Sequence, residues 1–158
     1  MASSNPIFLH ILWHQHQPWY VIPGTQRSVM PWVRLHGVKD YYDIAWLSQE
    51  YDGWKQTINL VPSLLEQIQG YVDRTITDES WELSRKPADQ LTQEEKKQIL
   101  LHFFDAHVPR MIHPFPRYDE LYRRRGRSPD KAAERFSMQD IRDLQVWHNL
   151  SWIDPIWR

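Results

Sequence analysis

The run from Ile7 to Trp13, IFLHILW, constrains the fold more than any other stretch. It is apolar on both parities apart from His10. It is rich in β-branched and aromatic side chains, and it is too short for a typical globular helix. Such a run suits a parallel strand covered on both faces. Pro18 has no N–H to give to a sheet ladder, so the strand is predicted to stop near Gln17. His14 and His16 lie two residues apart and share one face for as long as the strand lasts. Two imidazoles, the Gln17 amide and the rings of Trp19 and Tyr20 thus gather at the C-terminal end of the first strand. In α/β folds with parallel strands, ligands bind at that end. A lone strand-end histidine is more often a structural hydrogen-bonder, but this concentration of polar and aromatic groups favours a site.

The remaining pattern alternates strands and helices. Trp19 to Pro31 is a long connection, either a cleft wall or a plain connector. A helix is predicted from Asp40, as cap, to Tyr51, with Tyr41, Ile44, Ala45 and Leu47 toward its apolar side. Arg34 and Asp40 can each hydrogen-bond a ligand hydroxyl, although an ion pair at the helix start is the commoner use. Gln56 to Pro62 reads as a second strand. Its Asn59 points either toward His14 and His16 or simply pairs with backbone. Ser63-Leu64-Leu65-Glu66 matches a capping box, and Leu64, Leu65, Ile68, Tyr71 and Val72 recur at helical spacing. Asp73 to Leu91 reads as a surface excursion with a helical turn near Glu79 to Leu83. A second capping box at Thr92 opens a helix expected to reach His107, and the last helix runs from Ser137 to about Leu150. His102, His107 and His113 are spaced wrongly for one helical face and make a poor metal set. The basic run Arg123 to Arg127 sits among acidic residues, which favours ion pairs on a solvated face over a nucleic-acid contact. This rhythm indicates an α/β architecture with two parallel strands and several helices, in one domain spanning residues 1–158.

Composition narrows the function. A net charge of −1 argues against steering to nucleic acid or to an acidic membrane. No stretch approaches the roughly 20 apolar residues of a membrane span. The absence of cysteine excludes disulfides and thiolate metal sites and fits a cytoplasmic location, and the N-terminus lacks the basic region of a signal peptide. Nine tryptophans, seven tyrosines and five phenylalanines supply many flat faces of the kind that pack on sugar rings as well as in cores.

Three blocks in this order, WHQHQPWY, MPWVRLHGVKDYYDIAWL and TINLVPSLLEQI, followed by the closing DLQVWHNLSWIDPIWR, resemble the amino-terminal part of glycoside hydrolase family 57. His16-Gln17-Pro18 matches the family's first signature. The resemblance implies the front of an incomplete (β/α)7 barrel, a retaining mechanism with a glutamate nucleophile and an aspartate acid/base, and an α-glucan or maltooligosaccharide substrate. Such paired carboxylates lie roughly 5 Å apart in retaining enzymes. Both family motifs that carry them find no match in this chain, so no catalytic residue is assigned, and neither a cofactor nor a metal is implied. The expectation is an N-terminal piece of a catalytic barrel, inactive alone and completed by the remainder of the barrel. It contributes His14, His16, Gln17, Trp19, Tyr20 and Asn59 as sugar-binding residues. Two other readings stay open: a metal-dependent barrel hydrolase using His14 and His16 as ligands, and a non-catalytic sugar-binding piece.

Overall fold

The computed structural model describes residues 7–157. Among them are eight α-helices and two small parallel sheets of two strands each. Strand β1 (Leu12–Gln15) pairs with β3 (Thr57–Leu60), placing Leu12 opposite Thr57 and His14 opposite Asn59. Between them run β2 (Arg27–Ser28), helix α1 (Trp32–His36), a π-helical segment at Gly37–Tyr41, and α2 (Tyr42–Glu50). Helix α3 (Pro62–Val72) follows β3, and then β4 (Thr77–Asp78) pairs in parallel with β2. The rest is helical: α4 (Glu79–Arg85), α5 (Gln93–His102), a π-helical segment at Val108–Ile112, α6 (Pro116–Arg125), α7 (Pro129–Arg135) and α8 (Met138–Ser151). No helix among the described residues is long and apolar enough to cross a membrane.

The parallel pair predicted from the sequence is present, but its strands are shorter and barer than the pattern suggests. Ile7 to Ile11 lie outside β1, and Ile7 is 97% exposed. Leu12, Trp13, Ile58 and Leu60 are also exposed, so neither strand is covered on both faces. The core lies elsewhere. Ile99, Leu100 and Phe103 of the α5 region pack with Ile112, Tyr118, Leu121, Ile141 and Leu144, all essentially inaccessible to solvent. The Tyr118 hydroxyl, buried among them, donates to the Phe103 carbonyl.

Several local predictions shift for identifiable reasons. Helix α3 starts on Pro62, whose fixed φ and missing N–H suit a first helical position. Ser63 is therefore already inside the helix, and its hydroxyl donates to the Gln17 carbonyl rather than capping. The buried face of α3 is Leu64, Gln67 and Gly70, while Leu65 and Val72 face solvent. Gly70 is required there, since a Cβ would come within 2.7 Å of Ile76 Cγ1. The helix predicted from Asp40 begins earlier, at Trp32, with Asp40 inside the π-helical segment. Thr92 and Glu95 form the predicted capping box, with Glu95 Oε2 2.8 Å from the Thr92 N–H. That helix ends at His102, short of His107. Ser137 caps α8 as its position suggests. The basic run lies at the end of α6, where Arg123 and Arg124 pair with Asp119 and Asp140 at 2.6 and 2.7 Å.

Candidate functional site

The parallel register of β1 and β3 brings His14 beside Asn59, whose Oδ1 lies 2.7 Å from His14 Nδ1. The amide oxygen only accepts, so His14 Nδ1 is the donor of this bond, and in a neutral ring Nε2 is then the accepting nitrogen. His16 stacks on His14, with ring centroids 5.8 Å apart and planes 15° from parallel. Both imidazoles are solvent-exposed. His14 lines a shallow cleft of about 390 Å³ together with Trp13, Gln15, Asp40, Tyr41, Asp43 and Ile44. The pair therefore sits at an open surface rather than among aliphatic side chains.

The loop after β1 is held from beneath. Gln17 donates through Nε2 to the Tyr41 hydroxyl at 3.0 Å and accepts from the Tyr20 hydroxyl at 3.1 Å. Burial, and then the neighbouring Tyr41, raise the Tyr20 phenol above its ordinary range, so the hydroxyl stays a donor. Gln67, 1% exposed, accepts from the Tyr20 N–H at 2.9 Å. It also donates to the Pro18 and Ser63 carbonyls at 2.9 and 2.7 Å. Trp19, 47% exposed, presents its ring to solvent. The structure thus joins His14, His16 and Asn59 in one contact group and links Tyr20 to Tyr41 through Gln17. Gln17 and Tyr20 are engaged by protein groups, which makes them supports of the loop.

Gln67→Leu is expected to destabilise the fold by about 1–2 kcal/mol, because it orphans the Tyr20 N–H and the Pro18 carbonyl where water still reaches them. Urea unfolding measures this as a lower midpoint, and an unchanged midpoint would show that the loop does not depend on Gln67.

The two carboxylates of the cleft are committed to ion pairs. Asp40 accepts from His36 at 2.5 Å. That hydrogen bond, opposed by burial and aided by the charges of His36 and Lys39, holds its carboxyl below the usual range. A general acid at neutral pH requires the opposite shift. Asp43 accepts from the Trp157 indole at 3.0 Å and lies 3.9 Å from Lys39. Arg34, weighed above as a sugar contact, is instead 2.8 Å from the buried Asp78. His102 and His113 each meet an aspartate, at 3.2 and 2.7 Å. Among the described residues no three His, Cys, Asp or Glu side chains are grouped so as to hold a metal ion.

Sequence reasoning missed Gln67, Tyr41, Gln15 and Asp43. Gln67 left a signal, a polar residue three positions from Leu64 and three from Gly70 on the inner face of α3. Tyr41 read only as part of an apolar helix side.

The family model described as glycosyl hydrolase family 57 matches residues 10–158. No curated protein and no solved structure matches the chain.

Proposed function

The chain belongs to glycosyl hydrolase family 57, and from that membership we propose that it is the part of a retaining, α-glucan-acting barrel that grips the sugar beside the bond to be cleaved. Family membership itself implies a carbohydrate substrate. The observation that carries the finer reading is the solvent-exposed His14–His16 stack at the end of a parallel strand, with Asn59 engaging His14 through Nδ1. A ring nitrogen held this way accepts a hydrogen bond from a sugar hydroxyl, and His16 beside it supplies a second polar contact. Trp19 offers the flat face on which a pyranose ring packs. Pro18 shapes the turn that presents them.

No residue of the chain is assigned as nucleophile or acid/base. Asp40 and Asp43 are tied up as described, and the carboxylate pair is proposed to come from the remainder of the barrel. The sheet supports this: the β1–β3 pair leaves strand edges and apolar side chains such as Leu12, Ile58 and Leu60 exposed. Exposed apolar patches and open edges mark surfaces that other elements cover. On this reading the chain alone releases no reducing sugar from soluble starch above the buffer control. Turnover at the 1–10³ per second typical of enzymes, as an order of magnitude, would overturn it.

A further inference from the structure

A second cavity, of about 280 Å³, lies between α1, α4, α5 and α8 and shares no lining residue with the His14 cleft. A single water takes a share of about 30 Å³ and small-ligand sites begin near roughly 300 Å³, so the space is of ligand size. His148 forms part of its wall. That side chain is 2% exposed, and neither ring nitrogen makes a hydrogen bond of ordinary geometry, its one polar neighbour being the Phe103 backbone. Its ring is fixed by stacking on Phe103, with centroids 4.1 Å apart and planes 16° from parallel. Buried polar atoms are ordinarily well paired, so a rigid ring at a cavity wall with no well-formed hydrogen bond of its own points to a ligand.

The lining selects the chemistry. Burial, and then the charge of nearby Arg34, push His148 down to about 4 against the opposing pulls of Asp78 and the Phe103 backbone, so the ring is neutral at neutral pH. A neutral imidazole offers one donor and one acceptor together, and a hydroxyl group answers both. No Lys or Arg lines the cavity, its Glu79 and Asp105 are acidic, and its His102 is already held by Asp105 at 3.2 Å, so the lining disfavours an anion. Trp32 contributes an aromatic wall and is itself held against Trp152 and His36, at 6.0 and 6.3 Å. A neutral molecule with hydroxyls on its edge and an apolar face matches this set.

We propose that the cavity is a second sugar site, taking one pyranose unit with His148 as its buried anchor and Trp32 as its flat wall. The ligand class rests on the glucan reading above, but the two sites are read at different residues. The test is a maltose titration of the full chain, followed by long-range proton–nitrogen NMR at the histidine rings and at the Trp32 indole. His148 and Trp32 are expected to shift saturably, and in His148→Phe the Trp32 shift is expected to vanish while the His14 and His16 responses persist. Met30→Trp, at an exposed position on the cavity rim, is a second variant that should erase the same shifts by occlusion without touching His148. If His148 stays silent while His14 and His16 respond, the cavity holds water only and the proposal fails while the first site stands. If His148 responds and the strand-end pair does not, the reverse holds. Shifts at Trp32 that survive both variants would also overturn the proposal.

Discussion

Asp78→Ala is expected to lower the free energy of unfolding by about 3–5 kcal/mol, the range for breaking a buried charge pair by removing one partner. The Asp78 side chain is 1% exposed and accepts from Arg34 Nε and Nη2 at 2.8 and 3.0 Å. It also accepts from the Ser80 and Tyr71 hydroxyls at 2.9 and 3.1 Å, and it caps α4 by accepting from the Trp81 N–H at 2.8 Å. Burial pushes its carboxyl up. The Arg34 guanidinium, with help from Trp81 and Ser80, reverses this and holds it below the usual carboxylate range. Alanine leaves a largely buried guanidinium without its partner and removes the cap, which alone is worth about 1 kcal/mol. It also removes the side chain that ties β4, α1 and α4 together. Asp78→Asn retains an acceptor for the cap and should lose less. Urea unfolding reads both as lower midpoints at unchanged slope, and a loss within about 0.5 kcal/mol, as for an ordinary surface change, would contradict this account of the joint.

Lowering the pH from 7 to 5 is expected to destabilise the protein by about 2 kcal/mol through His148 alone. The sign follows from the two states. The unfolded histidine takes up a proton as the pH falls below its ordinary value of 6.5, while the folded ring stays neutral until about 4. Stability from this group is therefore complete above the unfolded value and declines as the pH falls toward the folded one, levelling off below it. The aspartates with shifted carboxyls are all moved down from 3.8, so their own losses begin below this window. His148→Phe keeps a ring to stack on Phe103 and removes the titration. It should be at least as stable as the parent at pH 7 and clearly more stable at pH 5. Parallel pH dependence in parent and variant would show that the ring is not held neutral.

The parts legible in the sequence were those governed by local chemistry. Pro18 ending a β-rich run, the Thr92–Glu95 reciprocal cap and the Ser137 cap each specify one boundary through short-range hydrogen bonding, and each boundary lies close to its predicted place. The His14–Asn59 contact was legible as one of two options, because the parallel register decides it and register is not a local property. The β2–β4 pair was invisible. Strands of two residues carry no periodicity, and Arg27-Ser28 and Thr77-Asp78 read as polar loop. Helices α6 and α7 were hidden by charge, since PRYDELYRRR shows its basic run before it shows that only Tyr118 and Leu121 turn inward. The face of α3 was misplaced because counting apolar residues puts Leu65 inside, whereas packing puts Gln67 there, with its amide satisfied by the loop it supports. The strand pair was expected to be buried because its side chains are apolar, yet burial depends on a covering layer that these residues do not themselves provide.

Whether the strand-end imidazoles hold sugar is decided by calorimetric titration of the full chain with maltoheptaose. The parent protein is expected to give saturable heat, and the His14→Ala/His16→Ala variant an affinity at least about tenfold weaker, the loss expected for one or two hydrogen bonds to ligand. Unchanged affinity in a folded double variant would contradict it.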